Sequence, residues 1–183
     1  GGSDNKSTWE VLRDGGTMSD YITGDGSNYE IKNHPWKTAG TQQMLNTVRN
    51  TGATNVLLIG GPNWTRRLEY WVEYRPNDPF KLSAAAGQAD PAFGKTWGTP
   101  EYDVPGFKEG YTWAEAILAA DFPVVITETG DRNANGTKGA PFVSKLLPWA
   151  DKNGVSYLGW AFDVWSDKPD NILLKDNSGM PTD

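Results

Sequence analysis

Two near-continuous apolar runs, both rich in β-branched residues, constrain the fold of this sequence most. They are NVLLIGG at 55–61 and PVVITETG at 123–130. Strands with one face in solvent alternate apolar and polar residues, whereas continuous apolar runs indicate parallel strands that are covered on both faces. Two further runs are KLSAAAG at 81–87 and VSYLGWAFDVW at 155–165. The alanines of 81–87 suit a helix as well as a strand.

Segments with helix signals separate these runs. Thr112 is followed three residues later by Glu115, which is the pattern of a capping box. Pro148 lies inside another segment and is expected to kink or shorten its helix. The alternation of helix and strand predicts an α/β fold with a parallel sheet. The four helical segments are 38–52, 66–73, 111–121 and 140–154.

The length of the chain limits the number of strands. A complete eight-stranded (β/α) barrel takes about 250 residues, whereas this chain has 183 residues and only four strands can be placed. We therefore predict one (β/α)4 half-barrel domain over 1–183, with 1–37 as a long irregular loop region before the first helix. The loops that leave the strands are long and aromatic, and active sites of such folds lie at that end.

The composition excludes several classes of function. The net charge is −6 without a basic cluster, so neither nucleic acid nor membrane is an expected partner. No apolar run approaches the ~20 residues of a membrane span, and no signal peptide is expected. The chain has no cysteine and one histidine, His34, so we expect no metal site and no cofactor. The nine tryptophans suit either stacking on sugar rings or filling a core.

Three strand ends carry residues suited to a binding or catalytic site. Glu128 ends a buried strand, where its carboxylate either does chemistry or pairs with an arginine or a helix terminus. Trp160, near the end of the last strand, either presents its indole to a ring-shaped ligand or fills the core. Trp64 follows two glycines that permit a tight turn after the first strand.

Together these strand ends resemble the second half of the barrel of glycoside hydrolase family 5, the cellulase-type retaining enzymes. The resemblance covers roughly 38–183 and implies strands 5–8 of a TIM barrel. In that family a pattern like PVVITETG supplies the nucleophile, which is Glu128 here, and a pattern like YLGWAFDVW supplies a tryptophan at the sugar site, which is Trp160. Only Glu128 and Trp160 match the family's motifs closely. Trp64, Trp97 and Trp165 are candidate sugar platforms as aromatic residues on loops that face the expected site, and Gln88 is a further candidate substrate contact.

Two elements of the family pattern are absent. A retaining glycosidase uses two carboxyl groups about 5–5.5 Å apart, and the Asn-Glu pair that supplies the acid/base in the family does not occur in this chain. The candidates for a substitute are Asp163, Asp90 and Glu101. The His-x-Tyr that usually ends the sixth strand, and that holds the nucleophile and sugar in the family, is replaced by AAAGQAD, in which Gln88 or Asp90 is at best a partial substitute.

The resemblance thus predicts a β-glucan-active, endo-β-1,4-glucanase-like enzyme of which this chain holds the nucleophile half. Turnover is expected to need a complementary half-barrel chain or a homodimer, because an isolated half exposes strand edges. Its polymeric substrate implies secretion. Two alternatives remain open: a non-catalytic carbohydrate-binding protein derived from such a barrel, and an unrelated open α/β domain in which Glu128 is structural.

Overall fold

The computed structural model describes residues 6–23, 30–62, 65, 67–89, 112–130, 142–162 and 178–180. The chain divides into two compact units, Gly1–Ala85 and Ala86–Asp183, while the single domain over 1–183 stays a prediction. None of the described helices has both the length and the hydropathy to span a bilayer.

The first unit begins with a helix and a hairpin. Helix α1, Lys6–Asp14, leads directly into strand β1, Gly15–Thr23, which pairs antiparallel with strand β2, Glu30–Ala39. The prediction of an irregular loop over 1–37 is therefore wrong for the described part of that region. A two-stranded ribbon can keep solvent on both faces, so it needs no apolar run, and its mixed polar sequence gave no strand signal.

The register of the hairpin shifts at a proline. Met18 lies opposite Trp36 and Asp20 opposite Asn33, so β2 has one more residue than β1 over this stretch. Pro35 belongs to that stretch, and proline has no N–H to donate to a ladder. A bulge at this position removes the need for the missing hydrogen bond.

The helix predicted over 38–52 is confirmed as α2, Thr41–Asn50, and ends before Gly52, which has a φ of 85°. Strand β3, Leu57–Ile59, follows, and the short helix α3 spans Trp71–Tyr74. The Trp71 side chain is fully buried, and its Nε1 donates a hydrogen bond of 2.8 Å to the backbone oxygen of Ile59. This bond ties α3 to the end of β3.

A buried ion pair joins α2 to Asp78, which lies in the turn before the strand that begins at Ser83. Arg49 donates from Nε and Nη2 to the two carboxylate oxygens of Asp78, at 2.9 and 2.7 Å. Arg49 also donates to the carbonyl oxygens of Ala53, Asn55 and Leu82. These hydrogen bonds from Arg49 lower the pKa of Asp78, although burial of the carboxyl opposes them. One guanidinium thus holds the segments that lead into β3 and into the strand that begins at Ser83.

The parallel sheet predicted from the apolar runs is confirmed. Strands β4, Ser83–Ala89, β5, Val124–Thr129, and β6, Ser156–Gly159, follow β3 in the order β3-β4-β5-β6. β3 pairs parallel with β4, and β5 pairs parallel with β6. The alanine-rich run forms a strand because neighbours on the sheet override its helix propensity.

The second unit contains two further helices. They are α4, Thr112–Ala119, and α5, Val143–Lys152, and both helices were predicted. Pro148 lies inside α5, which continues past it to Lys152. Apolar side chains from these helices, from β5 and from the positions just before α5 and β6 are buried in this unit: Ala114, Ile117, Val124, Ile126, Phe142, Leu146, Ala150 and Val155.

Candidate active site

Glu128 lies near the carboxyl end of β5, where the pairing with β6 is irregular. Ile126 lies opposite Tyr157 and Thr129 opposite Gly159, so β5 advances three residues while β6 advances two. The extra residue on β5 makes a bulge-like irregularity in the pairing, and Glu128 lies within it. Bulges next to sites re-aim side chains that regular alternation would direct elsewhere. The position of Glu128 is therefore set by pairing with β6 as well as by its place in β5.

The Glu128 side chain is partly buried and contacts the end of β4. The Nε2 atom of Gln88 donates a hydrogen bond to Glu128 Oε1. Gln88 is itself buried, with 8 % of its surface exposed. One residue earlier on both strands, Thr127 Oγ1 donates to the backbone oxygen of Gly87 at 3.2 Å. The structure thus brings together two of the residues predicted for the site, Gln88 and Glu128.

Trp160 follows β6 and is held against the end of β5 through its backbone. Its N–H donates to the carbonyl oxygen of Thr129 at 2.7 Å, and the peptide bond to Ala161 is cis. A Cβ atom on Gly130 would lie 2.8 Å from the carbonyl oxygen of Trp160. Only glycine allows this approach without a shift of backbone, because real Cβ contacts are longer. Trp160 as a residue is 43 % exposed, which leaves it accessible to a ligand.

Glu128 is the only acidic residue in the three described strand-end segments 83–89, 124–130 and 156–162. The predicted sugar contacts Trp64, Trp97 and Trp165 lie outside the described residues. The candidate acid/base residues Asp90, Glu101 and Asp163 also lie outside them, and these assignments stay predictions. Within the described part of the chain, no group of three or more His, Cys, Asp and Glu side chains is arranged to hold a metal ion.

Sequence reasoning named Gln88 as a substrate contact and as a partial substitute for the His-x-Tyr that holds the nucleophile and sugar in the family. It did not specify the bond to Glu128, and it did not foresee the bulge. The signal for the bond was present, because Gln88 and Glu128 both occupy the end of a predicted strand and parallel strands end at the same edge of a sheet. The bulge had no sequence signal, since it depends on the register against β6.

Active sites of (β/α) barrels lie at the carboxyl ends of the strands, which is where Glu128 and Trp160 are found. The sequence pattern of the cellulase family, glycosyl hydrolase family 5, matches residues 20–166. The chain belongs to glycoside hydrolase family 5, as its resemblance predicted. No curated protein matches the chain by sequence.

Solved structures share the fold at low sequence identity. A β-glucanase from Saccharophagus degradans is 22% identical with a TM-score of 0.55, over 77% of this chain and 42% of that one. A β-mannanase from Streptomyces thermolilacinus is 21% identical with a TM-score of 0.55, over 75% of this chain and 43% of that one. An endo-β-1,4-glucanase from Xanthomonas axonopodis pv. citri is 18% identical with a TM-score of 0.53, over 77% of this chain and 49% of that one. The chain thus spans less than half the length of each of these proteins.

Proposed function

We propose that the chain supplies the nucleophile half of a retaining, endo-acting β-1,4-glucan hydrolase, with Glu128 as the nucleophile. The observation that carries the proposal is the placement of the Glu128 carboxylate at the carboxyl end of a parallel strand, with Oε1 held by Gln88. One carboxylate oxygen is then fixed, and the other can attack an anomeric carbon.

In this mechanism the lone pair of a Glu128 oxygen forms a bond to the anomeric carbon while the bond to the leaving oxygen breaks. A second carboxyl group protonates the leaving oxygen and later activates the water that releases the sugar. That group must lie about 5–5.5 Å from Glu128. A complementary half-barrel chain, a second copy of this chain, or one of the loop acids Asp90, Glu101 and Asp163 would supply it.

Trp160 is the proposed platform for the sugar ring next to the cleaved bond. A pyranose presents C–H groups on its faces, and an indole offers a large apolar surface at a low entropic cost. Two observations support this role. Trp160 is exposed and therefore accessible to a sugar. Its backbone N–H is bonded to Thr129, which fixes the Trp160 backbone relative to β5. Trp64, Trp97 and Trp165 are proposed as further platforms along the glucan, and a polymeric substrate of this kind implies a secreted protein.

A mechanism-based label tests the role of Glu128 without requiring an acid catalyst. The reagent 2,4-dinitrophenyl 2-deoxy-2-fluoro-β-cellobioside has a leaving group that departs unprotonated, and its fluorine slows hydrolysis of the covalent product. We expect intact-mass spectrometry to show one fluorocellobiosyl adduct, and peptide mapping to place it on Glu128. The Glu128→Gln variant should form no adduct, because an amide oxygen is a poor nucleophile.

The matched control is Glu115→Gln, which removes a carboxylate from an exposed position of α4 and should leave labelling unchanged. An adduct on another residue, or one that persists in Glu128→Gln, would contradict the assignment of the nucleophile. Binding of cello-oligosaccharides by the unsubstituted chain without any adduct would instead favour the carbohydrate-binding alternative.

A further inference from the structure

The β1–β2 hairpin is joined to the helices on either side of it by very short connections. Helix α1 ends at Asp14 and β1 begins at Gly15, while β2 ends at Ala39 and only Gly40 separates it from α2. Gly15 lies opposite Ala39, so both ends of the ribbon meet at its base. The short connections therefore fix the base of the hairpin relative to α1 and α2.

The base of the hairpin lies at the carboxyl end of β3. A small cavity is lined by Arg13 from the last turn of α1, by Thr41 at the start of α2, and by Ile59 and Gly60 at the end of β3. Because Arg13 and Thr41 lie next to the two connections of the hairpin, these connections and the end of β3 share one cavity. In parallel α/β folds, binding and catalytic sites lie at this end of the strands.

The register of the two strands determines which side chains share a face of the hairpin. Met18 lies opposite Trp36, and Gly16 lies opposite Thr38. Directly opposite residues, and residues two apart along a strand, lie on the same face of a ribbon. A Cβ atom on Gly16 would lie 3.5 Å from the Val11 side chain, so Val11 of α1 packs against this position. We call these five residues the hairpin face: Val11, Gly16, Met18, Trp36 and Thr38.

Trp36 is the aromatic side chain of the hairpin face. It is 44 % exposed, so it does not fill a core. None of the five residues has an ionisable side chain, and Lys37 lies opposite Thr17 on the other face of the ribbon. This face therefore favours a neutral ligand over an ionised polymer, which would need charges that complement its own. An exposed indole beside aliphatic side chains suits the C–H groups on the face of a sugar ring.

We propose that the hairpin face is an auxiliary binding surface for a β-linked glucan, with Trp36 as the platform for one pyranose ring. The glucan as the ligand rests on the proposed function, because the surface by itself selects an uncharged ring. The contact uses residues of the first unit only and involves no covalent step. A polymer that is bound at two places on one protein is held more tightly than at either place alone, since the second contact is intramolecular. Trp36 therefore raises the affinity for long glucans.

Affinity electrophoresis in native gels that contain hydroxyethylcellulose, a soluble β-1,4-glucan derivative, tests the hairpin face. The chain is first labelled with the fluorocellobioside, so that the Glu128 site is occupied and the remaining retardation reports other contacts with the glucan. We expect Trp36→Leu to lower the affinity of the labelled chain roughly 3- to 10-fold, the size of one aromatic contact. Trp36→Tyr keeps an aromatic ring, so its affinity should stay within about twofold of the original.

Phe80→Leu is the matched control, because Phe80 is an aromatic residue of similar exposure, at 45 %, in the turn before β4 and outside the hairpin face. It should leave the retardation unchanged. Full affinity of Trp36→Leu, or an equal loss of affinity in Phe80→Leu, would overturn the hairpin face as a glucan surface while the proposed function stands. Retained glucan affinity together with weaker self-association of Trp36→Leu in sedimentation velocity would overturn it in favour of a second copy of the chain as the occupant.

Failure of the proposed function has a different signature. An unsubstituted chain that forms no adduct would reject the nucleophile role of Glu128. The unlabelled chain and its Trp36→Leu variant, compared in the same gels, then still decide whether the hairpin face binds glucan: a loss of retardation supports the surface, and equal retardation overturns it.

Discussion

Gly130 has no side chain, and this allows the Trp160 backbone to approach the end of β5 closely. The Trp160 carbonyl oxygen lies where a Cβ atom would be, so Gly130→Ala must displace backbone atoms of one segment or the other. We expect the substitution to lower the free energy of unfolding by about 1–3 kcal/mol, the usual cost of overpacking. Because the displaced backbone carries Trp160, the rate of fluorocellobioside labelling should fall as well. Urea unfolding and labelling kinetics measure the two effects.

Gly52→Ala provides the comparison for this prediction. Gly52 has a φ of 85°, and a Cβ there would meet no atom within 4 Å. Its replacement should therefore cost about 1 kcal/mol through backbone strain alone. Labelling at Glu128 should be unchanged. Equal labelling losses in the two variants would contradict the link between Gly130 and Trp160.

At the scale of residues, the sequence was informative where a residue type and its place in a strand determine its role. A glutamate that ends a continuous apolar run predicted a strand-end carboxylate, and Glu128 is found there. The bond from Gln88 and the approach of Trp160 to Gly130 depend on how neighbouring strands align. That alignment follows from packing of the whole sheet, so local sequence does not encode it.

At the scale of elements, the Arg49–Asp78 pair links α2 to the turn before β4 and makes stability depend on pH. The folded-state pKa of Asp78 lies below its ordinary value. Its contribution is therefore complete above about pH 4, the pKa of an unfolded aspartate, and is lost as the pH falls through the lower folded-state pKa. We expect Asp78→Asn to weaken this acid dependence and to lower Tm by roughly 5–15 °C at neutral pH.

Urea midpoints measured between neutral and acid pH test the acid dependence, and thermal unfolding at neutral pH tests the change in Tm, with Asp14→Asn as the control for both. Asp14 also has a lowered pKa because Arg13 donates hydrogen bonds to it, but this pair lies in solvent. Water and salt screen such a pair, so the control should change little. An Asp14 effect as large as that of Asp78 would show that burial of the pair does not matter.

The elements themselves were predicted to different extents. The helix and strand order from α2 to β6 followed from apolar runs and helical periodicity, which report burial directly. The β1–β2 hairpin was missed because its strands pair mainly with each other, and the glycine- and aspartate-rich sequence between 14 and 30 resembles a loop. The pairing of two polar strands depends on both segments together, so the sequence of either one alone does not predict it.

At the scale of the whole molecule, the described sheet leaves apolar residues exposed on its edge strands. All of β6 is exposed, including Leu158 at 57 %, and Leu58 on β3 is 48 % exposed. Unpaired edges with apolar side chains favour association with further strands. We expect the chain to associate with itself or with a complementary half-barrel, and sedimentation velocity over a concentration series should show a rising mass.

Leu158→Lys should reduce this association, because a charge on an edge strand opposes pairing with another chain. Met44→Lys places the same charge at a similarly exposed apolar residue of α2 and should have no effect. A chain that remains monomeric at every concentration, with or without a complementary half, would contradict the expected assembly.

The buried guanidinium of Arg49 has a consequence for local unfolding. Asp78 accepts hydrogen bonds from the backbone N–H groups of Phe80 and Leu82, and Arg49 holds the backbone oxygens of Ala53 and Asn55. Opening of the end of α2, or of either turn that leads into β3 and β4, therefore breaks hydrogen bonds of Arg49 or Asp78. We expect hydrogen exchange of the backbone amides in these three segments to be slowed together, and loss of the buried pair to raise it in all three.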